Sequence, residues 1–195
     1  MPMNFKIKIV LITLIVSVFG QCVNAQEAKD WFQEGNNLSK EGRYADAVEA
    51  YQQSLKLNPD ITVAYYNLGL AYKKLRRYEQ AVNALQKAVE LEPDYIEAHL
   101  AVGNVYNLME RWEDAIAHLN MVVHSKPDNA EAYGNLGWAY YNYKGKPPFK
   151  FLVIINLDMA VKLFKERGME QAAEATNQTL EEALIKFGMD SKNQP

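Results

Sequence analysis

Residues 62–95 read TVAYYNLGLAYKKLRRYEQAVNALQKAVELEPDY, and the segments on either side are copies of this stretch. Sliding the chain along itself by 34 residues places one glycine of each copy in a single column: Gly35, Gly69, Gly103 and Gly137. A second column holds Leu38, Tyr72, Tyr106 and Tyr140, and a third holds Ala47, Ala81 and Ala115. A fourth holds Pro59, Pro93 and Pro127, each followed by aspartate. Agreement of four columns on one spacing indicates an internal repeat.

Each copy contains two apolar stripes with the spacing of an α-helix. In residues 62–95 the first stripe is Tyr65, Leu68, Tyr72 and Leu75, and the second runs from Tyr78 to Leu91. Residues three or four apart lie on one face of a helix, so each stripe predicts an amphipathic helix. Only Arg76 and Arg77 separate them, which predicts an antiparallel helix hairpin.

Small residues mark the place where the two helices of a hairpin should approach most closely. Gly69 in the first helix and Ala81 in the second lack bulk. A large side chain at either position is expected to overpack the crossing and to destabilise the fold by roughly 1 to 3 kcal/mol. Pro93 cannot continue a helix and therefore ends the second one.

These residues resemble the pattern of the tetratricopeptide repeat family. The matching positions are Tyr65, Leu68, Gly69, Tyr72, Ala81, Leu85, Ala88 and Pro93. Departures from the family pattern occur at Glu34, Ser54, His99 and Val122. The resemblance implies an all-α fold, a right-handed α-solenoid of antiparallel helix pairs with a C-terminal capping helix.

The chain divides into four repeats and a final helix. We expect repeats at residues 28–61, 62–95, 96–129 and 130–168, and a capping helix at residues 169–188 with a polar outer face. The fourth repeat has a longer turn, because Lys144-Gly145-Lys146-Pro147-Pro148 delays its second apolar stripe by four residues. That second helix is predicted to start near Pro148 or Phe149 and to reach about Arg167.

The apolar segment that opens this second helix admits two interpretations. Residues 149–157 are almost continuously apolar. The favoured interpretation is a helix buried between its neighbours, and the alternative is an exposed apolar lip, formed by Phe149 and Phe151, that docks a partner.

The first 25 residues have the outline of a secretory signal peptide. Lys6 and Lys8 precede an apolar run that starts at Ile9, and small residues lead to a predicted cleavage site after Ala25. The run is shorter than the roughly 20 residues that span a bilayer. We therefore expect export, to a bacterial periplasm or to the medium. Two alternatives stay open: a retained anchor that holds the protein at a membrane facing outward, and lipidation at Cys22, which Gln21 disfavours.

The composition and the polar residues favour binding over catalysis. The net charge of −3 over 195 residues argues against a nucleic-acid partner. His99, His118 and His124 show no metal-ligand spacing, and no phosphate loop, nucleophile elbow or other catalytic motif occurs. We expect a protein that is not an enzyme, with no cofactor and no metal, and with membrane contact only if the N-terminal segment is retained.

In the family, the first helices of stacked pairs line a concave groove that binds a protein or peptide. We expect the groove to be lined by the face of each first helix that is not used for packing, which gives nine residues: Phe32, Asn36, Tyr66, Leu70, Lys73, Leu100, Asn104, Trp138 and Tyr141. The expected function is an exported interaction module or assembly scaffold that binds a peptide or partner protein. The alternative is a membrane-tethered structural subunit of an envelope complex.

Family members that hold the acidic tails of heat-shock chaperones use two asparagines and three cations in this groove. Asn36 and Asn67 occupy the asparagine places, but Phe32, Glu97 and Ala101 occupy the cation places. Without the cations the charge-assisted hydrogen bonds to a carboxylate are lost, so this activity is not expected here.

Overall fold

The computed structural model describes residues 24–145 and 149–189, and every regular element in these ranges is an α-helix. The described residues form two compact units, the first ending at Leu91 and the second starting at Glu92. Most of the predicted signal peptide, including Cys22, and three residues of the long turn in the fourth repeat lie outside the described residues.

The first unit contains two helix hairpins. Helix α1 covers residues 24–40 and α2 covers Tyr44–Leu57; α3 covers Thr62–Lys74 and α4 covers Tyr78–Leu91. Helix α3 packs against both α2 and α4. Ser54 on α2 is fully buried and donates a hydrogen bond of 2.7 Å to the carbonyl oxygen of Ala28, which satisfies a polar group at a place where the family carries alanine.

The second unit contains two hairpins and a final helix. The helices are α5 (Ile96–Leu108), α6 (Trp112–Ser125), α7 (Ala130–Asn142), α8 (Lys150–Glu166) and α9 (Glu170–Lys186). Each helix packs against the next one along the chain, and α7 also contacts α5 and α9. Helix α8 thus begins within two residues of its predicted start, and α9 occupies the predicted capping position.

The glycine column lies at a close helix–helix contact in each of the four hairpins. A Cβ atom built on Gly69 would lie 2.5 Å from Cγ of Leu85, and one built on Gly103 would lie 2.6 Å from Cγ of Leu119. Gly35 has the same relation to the ring of Tyr51, at 2.6 Å. Each first helix therefore rests its glycine on the largest buried side chain of the second helix, as the missing bulk predicts.

The fourth hairpin keeps this contact despite its longer turn. A Cβ atom on Gly137 would lie 2.8 Å from Cγ of Leu157, and Leu157 comes four residues later than Leu119 does relative to Gly103. Three residues join α5 to α6, whereas seven join α7 to α8. The extra residues are accommodated in the turn because the packing of the two helices fixes their register.

The short turns require one residue in the left-handed region. Gly42 has φ of 77°, and Arg76 and Glu110 occupy the same column with φ of 59° and 57°. A side chain in this region costs roughly 1 to 2 kcal/mol, which glycine avoids. Gly168, with φ of 68°, makes the equivalent turn between α8 and α9, as expected for a helix cap.

Helix α8 is buried on one face only. Val153 and Leu157 are 1% exposed, whereas Phe151 and Ile155 are each 59% exposed. These two positions match Glu113 and Ala117 of α6 once the four added residues are allowed for, and both of those side chains face solvent. The favoured interpretation of a helix buried between its neighbours therefore holds for one face of α8, which packs against α7 and α9, whereas the opposite face is exposed.

The alternative interpretation holds for only one of its two aromatic residues. Phe151 is exposed, but Phe149 is half-buried, with its ring centroid 5.2 Å from that of Tyr140 and 5.5 Å from that of Tyr143. An exposed lip made by both rings is therefore not present.

Two glycines of α7 provide a matched test of the close contact. Gly137 has no room for a methyl group, because Leu157 is in the way with its side chain and with its backbone nitrogen at 3.2 Å. Gly134, one turn away, has ordinary contacts, the nearest being Cβ of Ala160 at 3.7 Å. We expect Gly137→Ala to lower the free energy of unfolding by about 1 to 3 kcal/mol. Gly134→Ala should raise it by up to about 1 kcal/mol through helix propensity. Urea denaturation measures both, and equal effects would contradict the close-contact interpretation.

Candidate peptide-binding surfaces

In the first unit, α1 and α3 meet through a pair of asparagines. Nδ2 of Asn67 donates a hydrogen bond of 2.9 Å to Oδ1 of Asn36, and the hydroxyl of Tyr51 donates a second one of 2.9 Å to the same oxygen. Burial raises the pKa of Tyr51, so its hydroxyl stays protonated and remains a donor at neutral pH. The carboxamide of Asn36 is thereby held in one orientation, with its Nδ2 not used in these two bonds.

An open cavity of about 250 Å³ lies beside this pair. We call it the N-terminal amide pocket, and its lining is Gln33, Asn36, Ser39, Lys40, Tyr51, Asn67 and Leu70. It combines amide groups, one cation and one aliphatic side chain. Such a lining can hydrogen-bond the backbone of an extended segment while contacting one apolar side chain.

The second unit repeats the asparagine pair on α5 and α7. Nδ2 of Asn135 donates to Oδ1 of Asn104 at 2.7 Å, and the sequence separation of the two residues equals that of Asn36 and Asn67. Nδ2 of Asn104 in turn donates to Oε1 of Glu131 at 2.8 Å. The same amide bridge therefore joins neighbouring first helices within each unit.

A second open cavity, of about 210 Å³, lies between α7, α8 and α9. We call it the C-terminal aromatic pocket, and its lining is Glu131, Gly134, Asn135, Trp138, Leu157, Phe164, Ala175, Thr176 and Thr179. Trp138 is 40% exposed, which is unusual for a residue that normally buries most of its surface. The indole is accordingly available to a ligand in this pocket.

Helix α9 covers one of the predicted groove residues. Tyr141 stacks on Trp138 with the ring centroids 6.0 Å apart, and Nζ of Lys186 lies 3.9 Å from the centroid of the Tyr141 ring. Phe187 meets the same ring edge-on at 6.4 Å. Tyr141 therefore packs beneath the capping helix, whereas Trp138 stays open.

The nine predicted groove residues are not equivalent in the structure. Asn36 and Leu70 line the N-terminal amide pocket, and Trp138 lines the C-terminal aromatic pocket. Asn104 contacts the latter pocket through Glu131. The other predicted residues outside the two linings, Phe32, Tyr66, Lys73 and Leu100, are half-buried on α1, α3 and α5. That any of them binds a partner stays a prediction.

Sequence reasoning predicted only Trp138 among the residues that line the C-terminal aromatic pocket. Glu131, Gly134 and Asn135 were not among the predicted residues, although Gly134 shares a column with Phe32 and Tyr66. Alignment of the repeats alone shows that a glycine replaces a large residue in this column, which could have indicated the pocket. Asn135 repeats the offset of the first asparagine pair, which is a second usable signal.

Tetratricopeptide repeat models match the chain at residues 62–95 and, under a second model described as TPR repeat, at residues 35–75 and 103–143. The chain belongs to the tetratricopeptide repeat family. Together the matched residues cover just over half of the chain. No curated protein sequence matches it significantly.

Several solved structures share the fold. MamA from Desulfovibrio magneticus RS-1 is 20% identical with a TM-score of 0.66, and the match covers 87% of this chain and 98% of that one. The first repeat domain of Spaghetti (RPAP3), bound to the HSP90 peptide SRMEEVD, is 26% identical with a TM-score of 0.57, covering 59% of this chain and 91% of that one. The second repeat domain of human RPAP3, in complex with the HSP70 peptide SGPTIEEVD, is 25% identical with a TM-score of 0.55, covering 61% and 97%. The predicted fold class is confirmed.

Residues without a positive charge occupy the three cation positions of the chaperone-tail clamp in this repeat protein. Ala101 is buried, and Glu97 forms an ion pair with Lys126 that lowers the pKa of its carboxyl group. Phe32 packs with its ring centroid 6.0 Å from that of Tyr51. None of these three residues supplies a positive charge to an acidic peptide tail.

The third repeat contains a histidine pair that spacing did not predict. Nδ1 of His99 lies 2.9 Å from Nδ1 of His118, and Nε2 of His99 lies 3.0 Å from the carbonyl oxygen of Pro93. A carbonyl only accepts, so Nε2 of His99 carries the proton and its Nδ1 accepts from His118. His99, one of the departures from the family pattern, therefore forms a polar contact between α5 and α6.

Neither a metal site nor a membrane-spanning helix occurs among the described residues. In residues 24–145 and 149–189, no group of three or more His, Cys, Asp and Glu side chains could hold a metal ion. Within the same ranges, no helix combines the length and apolar character that a bilayer crossing requires.

The histidine pair predicts acid sensitivity of the third repeat. Burial, followed by the neighbouring charge of His99, lowers the pKa of His118, and Asp114 opposes this in part. His118 also contacts the Tyr106 ring, which carries Arg111 on its face. His118 therefore binds a proton more readily in the unfolded chain than in the folded one. As a result, the free energy of unfolding is highest above the ordinary histidine pKa of 6.5 and falls as the pH drops below it.

The measurement is the melting temperature between pH 7.5 and 5. His118→Ala, which installs the alanine that Ala84 provides in the second repeat, should flatten the decline in this range. His124→Gln serves as the control, because His124 is exposed on the same helix and should leave the decline unchanged. An equal decline in the native chain and in His118→Ala would refute this assignment.

Proposed function

We propose that the protein is an exported interaction module that binds an extended peptide segment of a partner protein on its first helices. The observation that carries the proposal is the amide pair that each unit presents beside an open pocket. Asparagine amides offer both a donor and an acceptor, so they can pair with the backbone of a bound segment whatever its sequence. The pockets then select side chains.

The solved relatives support a peptide as the class of ligand. Two repeat domains with 26% and 25% identity were solved with peptides bound, and both peptides end in Glu-Glu-Val-Asp. The asparagines at Asn36 and Asn67 fit that mode of binding, whereas Phe32, Glu97 and Ala101 do not fit an acidic tail. We therefore propose a peptide partner of different side-chain chemistry.

The proposal is one of binding and not of catalysis. Family members typically act as non-catalytic interaction modules, and the two pockets are open clefts lined mainly by amides and apolar groups. Catalysis by general acid or base needs a titratable group held in a protected site with a shifted pKa. The N-terminal amide pocket has no carboxyl or imidazole group in its lining, and the C-terminal aromatic pocket has the single carboxyl group of Glu131. The histidine pair lies on α5 and α6, outside both linings.

Export is the second part of the proposal and is supported by the N-terminal residues. Lys6 and Lys8, the apolar run from Ile9 and the small residues before Gln26 have the order of a signal peptide. Removal of residues 1–25 would leave the packing of α1 in place, because its first buried side chain is Ala28. The competing proposal is a membrane-tethered subunit that keeps this segment and faces outward.

Peptide binding is tested by selecting binders to the purified protein from a random display library and measuring their dissociation constants by fluorescence anisotropy. We expect Asn67→Ala in the N-terminal amide pocket, or Trp138→Ala in the C-terminal aromatic pocket, to weaken selected peptides by about tenfold, as for a central contact residue.

The control for this experiment is Met121→Asn on α6, which is 45% exposed and lies outside both pockets. It should leave the affinity unchanged. Melting curves of all three variants exclude loss of the fold as the cause. If no peptide is selected, or if both pocket variants bind the selected peptides as strongly as the native protein does, the proposed function is wrong.

Export is tested by the intact mass of the protein recovered from a bacterial host. We expect a chain that begins at Gln26, in the periplasm or the medium, because cleavage follows Ala25. A full-length mass in the membrane fraction would support the tethered subunit instead, and a full-length mass in the cytoplasm would contradict both.

A further inference from the structure

The C-terminal aromatic pocket exists because one position of the repeat has lost its side chain. The column that holds Phe32, Tyr66 and Leu100 holds Gly134 in the fourth repeat. A Cβ atom there would find its nearest neighbours at 3.7 and 3.9 Å, on Ala160 and Phe164. The space that a large side chain fills in the earlier repeats is therefore open, with Leu157 and Phe164 at its base.

The polar groups around this pocket mostly accept hydrogen bonds. Thr176 and Thr179 donate their hydroxyl protons to carbonyl oxygens of their own helix, at 2.8 and 3.3 Å. Each hydroxyl oxygen is left with lone pairs only. Asn135 donates one N–H of its Nδ2 to Asn104, and its Oδ1 is an acceptor.

The charge around the pocket is negative. Glu131 contributes a carboxylate that accepts one hydrogen bond from Nδ2 of Asn104, a neutral donor that does not cancel its charge. None of the residues that the described structure places in the lining is a lysine, an arginine or a histidine. The pocket therefore has a full negative charge with no countercharge in its lining.

The walls suit a long aliphatic stem that ends in a cation. The exposed indole of Trp138 forms one side, and a cation over such a ring gains electrostatic attraction from its face. The neighbouring ring already shows this chemistry within the chain, because Nζ of Lys186 lies 3.9 Å from the centroid of Tyr141. Tyr141 stacks on Trp138, so the two rings form one aromatic surface.

We propose that the C-terminal aromatic pocket binds a lysine or arginine side chain of the partner segment. The stem lies against Trp138 and Phe164, and the cation is held by the carboxylate of Glu131 and by the acceptor oxygens of Asn135 and the two threonines. An acidic side chain would be repelled by Glu131, and a purely apolar one would leave this carboxylate without a countercharge. This inference rests on the proposed function, because it names the side chain that the bound segment supplies.

The test is a double-mutant cycle on peptides selected from the random library. We expect selected sequences to share one lysine or arginine. Replacing it by norleucine, which keeps the stem and removes the charge, should weaken binding to the native protein by about fivefold, the upper range for an exposed ion pair. With Glu131→Gln the same replacement should change the affinity by less than about twofold, because the countercharge is gone.

The matched control is Glu97→Gln. Glu97 occupies the same column of the third repeat as Glu131, but it pairs with Lys126 and lies outside the pocket. The norleucine effect should persist in this variant. Gly134→Phe, which restores the large residue of the earlier repeats, should abolish the effect by filling the space. Melting curves show whether that variant folds. If it does not fold, the comparison of the norleucine effect between Glu131→Gln and the native protein decides the outcome.

The outcomes separate this inference from the proposed function. If peptides bind and depend on Asn67 or Trp138, but show no basic residue or keep the full norleucine effect in Glu131→Gln, the cation pocket is wrong and the interaction module stands. If no peptide is selected at all, the proposed function fails and this inference fails with it.

Discussion

Every hairpin in this protein depends on the contact between a glycine of its first helix and a large side chain of its second. At Gly69 and Gly103 the facing leucine leaves no space for even a methyl group, so the helix backbones approach as closely as the leucine allows. This contact fixes both the distance and the register of the two helices. The remaining features, including the turn geometry and the position of the first helices in each unit, follow from that register.

The same contact explains what could be predicted from the sequence. A column of glycines at constant spacing indicates where helices cross. The position of Leu157, four residues later in its repeat than Leu119, indicates how long the last turn is. Helix identity, helix pairing and the left-handed residue at Gly168 all follow from local chemistry of this kind. The exposed face of α8 could have been predicted too, because Phe151 and Ile155 take columns that are solvent-exposed in α6.

Other features depend on which side chains meet across helices, and spacing within one helix does not contain that information. His99 and His118 lie on different helices, and their contact needs the geometry of the α5 and α6 crossing. The covering of Tyr141 by Lys186 depends likewise on where α9 ends. For the candidate site, the sequence pointed to Asn36, Leu70 and Trp138 but not to the cavity at Gly134, since a cavity is defined by the atoms around it.

The long turn between α7 and α8 has a practical consequence. Since Gly137 and Leu157 keep their contact across seven intervening turn residues instead of three, the hairpin does not rely on a tight connection to find its register. Loop-closure entropy grows only slowly with length, so further residues in this turn would add little unfavourable free energy. A reporter peptide or a protease site could thus be spliced into the chain at this turn, giving an engineer access to the last hairpin while its helices stay paired.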